Sequence, residues 1–347
     1  MRDNDPPHIA LAREAMATRF ELLLYGPNRI SLRAAGEEAF NEIERLDKQL
    51  NLYNPASEIA HLNARAAVEA VRVEPGLFGL LEHAQRLYQE TGGAFDITIA
   101  PLLRCWGFMG KQGKIPSPAE LAEARANTGM HLVQLDPKHR TVRFLRPGVM
   151  LDLGAIGKGY AVERAVELLR EAGVASAILH GGTSTVYAIG HPPQASAWNV
   201  ALEYPAKKPE ASPLLIAVVS LKDEALSVSA VWGKSFEFKG KTYGHIIDPR
   251  SGQPASRAVL SAVVLPSATE TDALSTALLT LGLHGHDLIV SLRPGMRALV
   301  METPKARRPL KLRATGIAAL RRQIRNPKLE IRNKHEIQMT NSQNPTN

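Results

Sequence analysis

Four short stretches of this chain combine residue types and spacings suited to chemistry. The first is Asp152-Leu-Gly154-Ala155-Ile-Gly157-Lys158-Gly159-Tyr160. Its glycines let backbone come close to a ligand, and a helix opening beside a lysine suits a phosphate. It is not a P-loop, because only two residues separate Gly154 from Gly157, and Gly159 stands where that motif needs Ser or Thr. A tight strand-to-helix turn with a solvated Lys158 explains the same string. In the second stretch Asp272, Ser275 and Thr276 stand at i, i+3 and i+4, so their oxygens share one helix face. A carboxylate with two hydroxyls is a half-shell for a hard cation such as Mg²⁺, which keeps waters for a phosphate to replace. Thr269 and Asp272 equally fit a capping box ahead of an apolar run. The third is Tyr243-Gly-His245-Ile-Ile-Asp248-Pro-Arg-Ser-Gly252, a strand running into a turn. His245 there suits a general base, since imidazole titrates near neutrality, and suits a hydrogen-bonded structural role just as well. The fourth joins Gly92-Gly93-Ala94-Phe95-Asp96 to Cys105-Trp106-Gly-Phe108. A flat ligand could stack on Phe95 or Trp106, and core packing explains both rings too. Cys105 has no local support as a nucleophile.

These residues need elements to hold them. Ala15–Tyr25 reads as a strand, with Met16, Phe20, Leu22 and Leu24 largely on one face. Leu32–Leu50 follows as an amphipathic helix, and Gly76–Thr91 as a second one stopped by Gly92-Gly93. Gly110–Pro118 reads as a loop. The spacing predicts a strand over Thr141–Leu151 that delivers the glycine turn, a helix over Lys158–Ala172 and a strand over Ala175–Leu179. Strands are predicted at Leu214–Val219, Glu224–Val228, Lys234–Phe238, Thr242–Ile247 and Met296–Met301, with Lys239-Gly240 as a hairpin turn. Ala268–Leu281 is predicted to be a helix, and Pro205–Pro213 an excursion. Strands and helices that do not alternate regularly favour an α+β architecture over a doubly wound sheet.

The charge of +8 over 347 residues invites a nucleic-acid reading. Its distribution argues against one. After Glu302 lie eleven Lys/Arg and two Asp/Glu, so the preceding residues are close to neutral. Residues 321–347 are polar and poor in aromatics, and disorder is expected there. A single cysteine excludes an internal disulfide. No uncharged apolar run approaches the roughly 18 residues that span a bilayer. Met1-Arg-Asp-Asn-Asp-Pro-Pro lacks the apolar stretch of a signal peptide, so the sequence as written predicts a cytoplasmic protein.

Taken together, Met16-Ala-Thr18, Ser57-Glu58-Ile59 with Leu62-Asn63, Gly93-Ala94-Phe95-Asp96, the Asp152–Tyr160 string, Gly181-Gly182, His245-Ile-Ile-Asp-Pro-Arg-Ser-Gly and Asp272-Ala-Leu-Ser-Thr276 resemble the ApbE family of FAD:protein FMN transferases. The resemblance runs over about residues 15–320, leaving 1–14 as an N-terminal extension and 321–347 as a basic tail. It implies an α+β fold of mixed sheets and packed helices with an FAD cleft. In such enzymes a Thr or Ser hydroxyl of a target flavoprotein, often a subunit of a membrane redox complex, attacks FAD in the presence of Mg²⁺, and AMP leaves. By motif, Met16, Ala94, Phe95, Asp96, Asp152 and Lys158 would hold FAD. Asp272, the Thr276 hydroxyl, Ser275 and the Ala155 carbonyl would hold the metal, and His245 would be the base. Thr183 departs from the acidic residue usual after Gly-Gly, and Ser227-Val-Ser229-Ala230 from a usual Ser-Thr-Ser-Gly. Members often carry a lipoprotein signal, so an upstream start would make the protein periplasmic and membrane-associated. Water as acceptor would give an FAD pyrophosphatase, and loss of chemistry would give a flavin-binding or delivery protein.

Overall fold

The structure, a computed structural model, describes residues 7–110, 112–205, 213–302 and 311–320. The expected tail at 321–347 lies outside them, as do residues 206–212 of the expected excursion. An eight-stranded antiparallel sheet forms the frame. Its order is His8–Ala15, Thr18–Tyr25, Ser176–Gly181, Thr185–Ile189, Glu224–Ala230, Leu260–Leu265, Arg297–Met301 and Leu312–Thr315. Alternate residues of these strands enter different cores, as the period of two requires. Ala177, Leu179, Val263 and Leu265 join the core shared with the helices Arg29–Leu50, Gly157–Glu171 and Ala268–Leu281. Ile178, Ala262 and Val264 face the opposite core, closed by the hairpin Trp198–Tyr204 and Leu214–Leu221. All six residues of Leu260–Leu265 are buried, because both faces of that strand are covered.

A third, smaller core of Leu102, Cys105, Trp106, Phe108, Ala124 and Ile247 lies under the separate two-stranded ribbon Ser235–Phe238 and Lys241–Gly244. Phe236 and Tyr243 stack in it at 5.3 Å between ring centroids, and Trp106 packs on Tyr243 at 5.6 Å. Ala268–Ser291 is long and apolar enough to span a bilayer by composition alone, but two-thirds of its most apolar window is buried inside the fold.

The helix over Ala268–Leu281 forms as the sequence predicts. Other readings change. The single strand expected over Ala15–Tyr25 is the second half of a hairpin, and residues 8–14 of the expected extension supply its first half, paired from His8↔Tyr25 to Ala15↔Thr18. The turn residues Met16 and Ala17 adopt φ of 49° and 56°. Such turns usually announce themselves with Asn-Gly, and this one has neither residue. The strand expected to reach Leu151 ends at Phe144, because Pro147 and Gly148, with φ of 93°, turn the chain out of the ladder. The run expected over Thr242–Ile247 divides into Lys241–Gly244 and Ile247–Asp248, with His245 in the bend between them.

Candidate active site

One cavity of about 910 Å³ opens between the main sheet, two helices and Lys234 and His245, the residues that flank the ribbon. Asp152 reaches it on an extended segment held by a side chain rather than by a ladder. Asn63 Nδ2 donates to the Leu151 carbonyl at 3.0 Å, and its Oδ1 accepts the Leu151 N–H at 2.8 Å. The Asp152 N–H then donates to Ile97 O at 2.7 Å, tying this segment to the Ala94–Asp96 turn. Asn63 sits on the helix Glu58–Arg65, whose N-cap is Ser57. The Ser57 and Asn63 strings are therefore scaffolding for the cavity wall.

The helix Gly157–Glu171 begins without a side-chain cap of its own. Asp272, from the neighbouring helix, fills that role through Oδ2, which accepts the Gly159 N–H at 2.9 Å. A carboxylate suits the positive end of a helix. The approach needs a glycine, because a Cβ at position 159 would lie 2.2 Å from Ala268 O and 2.7 Å from Asp272 Cβ. Asp272 is free for this because the expected Thr269/Asp272 capping box does not form. The helix starts two residues earlier than such a box requires, with Ser267 as N-cap accepting the Glu270 N–H. The Thr269 N–H is taken by Glu163 Oε2, while Glu270 pairs with Arg293 and His83.

Ala155, Asp272 and Thr276 line the cavity together with Asp152 and Lys158. Burial pushes the Asp152 and Asp272 carboxyls above the ordinary aspartate range, and the Lys158 ammonium pulls both back. Lys158 Nζ donates to Gly154 O at 3.2 Å. Ser275 belongs elsewhere: it is wholly buried, and its hydroxyl bonds Ser229 Oγ and Asp272 O instead of facing the cavity. Serine at i+3 points past the face that Asp272 and Thr276 share. A carboxylate, a hydroxyl and a nearby backbone turn are all hard oxygen donors, which fits Mg²⁺. No group of three His, Cys, Asp or Glu side chains stands ready for a metal among the described residues, so water and phosphate oxygens would complete the shell.

His245 is half-buried at the cavity's edge. Its Nδ1 lies 3.1 Å from Lys234 O. A carbonyl only accepts, so Nδ1 carries the proton and Nε2 keeps a free lone pair. Burial, then the charges of Lys158 and Lys234, hold the imidazole below its ordinary value, against the Lys234 hydrogen bond. Gly233 makes room for the ring, since a Cβ there would lie 2.9 Å from Cε1.

Ala94, Phe95 and Asp96 also line the cavity. Asp96 is 7% exposed, and its Oδ1 accepts from Thr98 N at 2.8 Å and Thr98 Oγ1 at 2.6 Å. Burial raises its pKa to about 6 despite those bonds. Trp106 is not available for stacking: its Nε1 donates to Gly252 O and its ring packs on Tyr243. Met16 is not brought into the lining; it occupies the hairpin turn and packs on the main core. Residue-by-residue reading missed Tyr53, an exposed ring at the cavity wall, along with Lys234 and Ser229. Tyr53 lies in the Asn51–Asn54 turn, where an aromatic residue amid turn formers was the one available signal. Thr183 and Ala230, the two departures, both line the cavity.

An antiparallel sheet backed by helices, with acid, hydroxyl, amine and imidazole groups lining one cavity, defines an α+β enzyme. The ApbE family model matches residues 16–300, and the chain belongs to the ApbE family. It is 31% identical over 282 residues to the FAD:protein FMN transferase of Treponema pallidum, covering 77% of each chain. With the protein of that name from Salmonella typhimurium it shares 29% identity over 246 residues, or 70% of this chain and 69% of the relative. Among solved structures, the apo form of the Pseudomonas stutzeri flavinyl transferase ApbE superposes with a TM-score of 0.78 at 27% identity, over 91% of this chain and 97% of that one. The Thermotoga maritima ApbE protein gives 0.77 at 26% identity, over 89% and 97%.

Proposed function

We propose that this protein is an FAD:protein FMN transferase that moves FMN from FAD to a Thr or Ser hydroxyl of a flavoprotein acceptor, with Mg²⁺ bound and AMP released. The acceptor would be a flavin-carrying subunit of a redox complex. The observation that carries this reading is the convergence of Asp272, Thr276, Lys158 and the free Nε2 of His245 on one cavity.

Each group has a task in such a reaction. The acceptor oxygen attacks the phosphorus on the FMN side, and the bond from that phosphorus to the bridging pyrophosphate oxygen breaks. His245 Nε2 takes the acceptor's proton, which its lowered basicity permits because the ring stays neutral near pH 7. Lys158 faces the negative charge that builds on the phosphate oxygens. Mg²⁺, held by Asp272, Thr276 and the Ala155 carbonyl, would supply electrostatic stabilisation of the pyrophosphate. Asp152, Phe95 and Asp96 would orient the rest of FAD.

The test is to incubate the protein with FAD, Mg²⁺ and a candidate acceptor and look for flavin fluorescence on the acceptor after denaturing electrophoresis. Labelling that disappears with chelator and in Asp272→Ala is expected. Labelling that persists undiminished in Asp272→Ala would sink the metal assignment.

A further inference from the structure

Three hydroxyl groups meet at the cavity wall, two of them on residues that line it, Ser229 and Thr276. Ser229 Oγ, on the strand Glu224–Ala230, lies 2.8 Å from Ser275 Oγ and 3.1 Å from Thr276 Oγ1 on the facing helix. Counting lone pairs assigns their protons. The Asp272 carbonyl has two lone pairs, and one of them takes the Thr276 N–H of the α-helix. Ser275 Oγ at 3.0 Å and Thr276 Oγ1 at 3.3 Å compete for the other. The nearer group, Ser275, takes it. Thr276 then donates to Ser229, and Ser229 donates to Ser275. The three protons run one way, from Thr276 to the helix carbonyl, and both lone pairs of Thr276 stay free.

We infer that Ser229 is a positioning residue, which aims the Thr276 oxygen at the cation that Asp272 would share. This rests on the metal reading above. Without the Ser229 oxygen, two hydroxyl protons compete for one carbonyl lone pair. Ser275 is sealed from the cavity, whereas Thr276 lines it, so the Thr276 proton is the one that turns inward and faces the cation.

The test is Mn²⁺ affinity, read from the electron paramagnetic resonance of the free ion, with ADP supplying a pyrophosphate and no turnover occurring. Ser229→Ala is expected to weaken Mn²⁺ binding about 10- to 100-fold, the usual effect of removing a group that orients a ligand. Ser229→Thr, which keeps the hydroxyl, is expected to restore it. Ser229→Cys fills the same space with a poor acceptor and is expected to behave like Ala, so an unstable Ala variant does not rescue the proposal. Ser229→Ala or Ser229→Cys binding Mn²⁺ as tightly as the unaltered protein, while Thr276→Val loses it, would overturn the role of Ser229 alone. Absence of Mn²⁺ binding by the unaltered protein would overturn the metal reading and the role together.

Discussion

Replacing Asp96 by Asn should stabilise the protein at neutral pH and not in acid. The folded carboxyl titrates at about 6 against an ordinary value of 3.8, because burial opposes its charge. That difference corresponds to about 3 kcal/mol between its neutral and ionised states. The sign follows from proton uptake: between pH 4 and 6 the folded state binds more protons than the unfolded one, so stability falls as pH rises through that window. Asn keeps an oxygen to accept both Thr98 donors and carries no charge, so the variant escapes this loss. Urea unfolding of both proteins should show the Asn variant gaining about 2 kcal/mol on the unaltered protein between pH 4 and pH 7, most of the full difference. Taking the difference between the two proteins cancels the titration of every other group. A gap of the same size at both pH values would refute the reasoning. FAD affinity should fall in the variant, since stability regained at a binding wall is commonly lost in function.

Gly159→Ala should destabilise the fold by about 1–3 kcal/mol, because its methyl group meets the Ala268 carbonyl and the Asp272 stem. Thermal unfolding measures it, and an unchanged midpoint would mean the two helices have room to part. His245→Ala should retain FAD binding while turnover falls about 10²- to 10⁴-fold. In the unaltered enzyme, turnover should hold as pH drops through neutrality and decline only below the ordinary histidine value of about 6.5, since the folded imidazole is held below it. A decline centred above that value would contradict the neutral-base assignment.

The sequence made some parts of this molecule legible and hid others for physical reasons. Ala268–Leu281 was readable because its apolar residues leave no doubt of a buried helix, and the hairpin at Lys239-Gly240 because its turn carries a glycine with φ of 71°. The first strand was hidden, because edge residues such as Arg13 and Glu14 blur the alternation and Met16-Ala17 gives no turn signal. Local periodicity also could not show that Asp272 caps a helix more than a hundred residues away, a contact set by Gly159. The i, i+3, i+4 spacing placed Asp272 and Thr276 together, but the Ser275 hydroxyl turns to Ser229 and to the Asp272 carbonyl. The family strings located the cavity walls at Ala94–Asp96, Asp152, Lys158 and His245; Met16 stands apart from the lining. Tyr53 and Lys234 belong to the site through tertiary packing alone.

The central claim is that the cavity passes FMN to a protein hydroxyl. Its most direct test is a stoichiometric one: AMP released and FMN covalently bound to a purified acceptor, measured in the same reaction by chromatography and intact-protein mass. One AMP is expected for each FMN esterified to the acceptor, with free FMN negligible and both products lost in Asp272→Ala. AMP matched by free FMN, with the acceptor's mass unchanged, would contradict it.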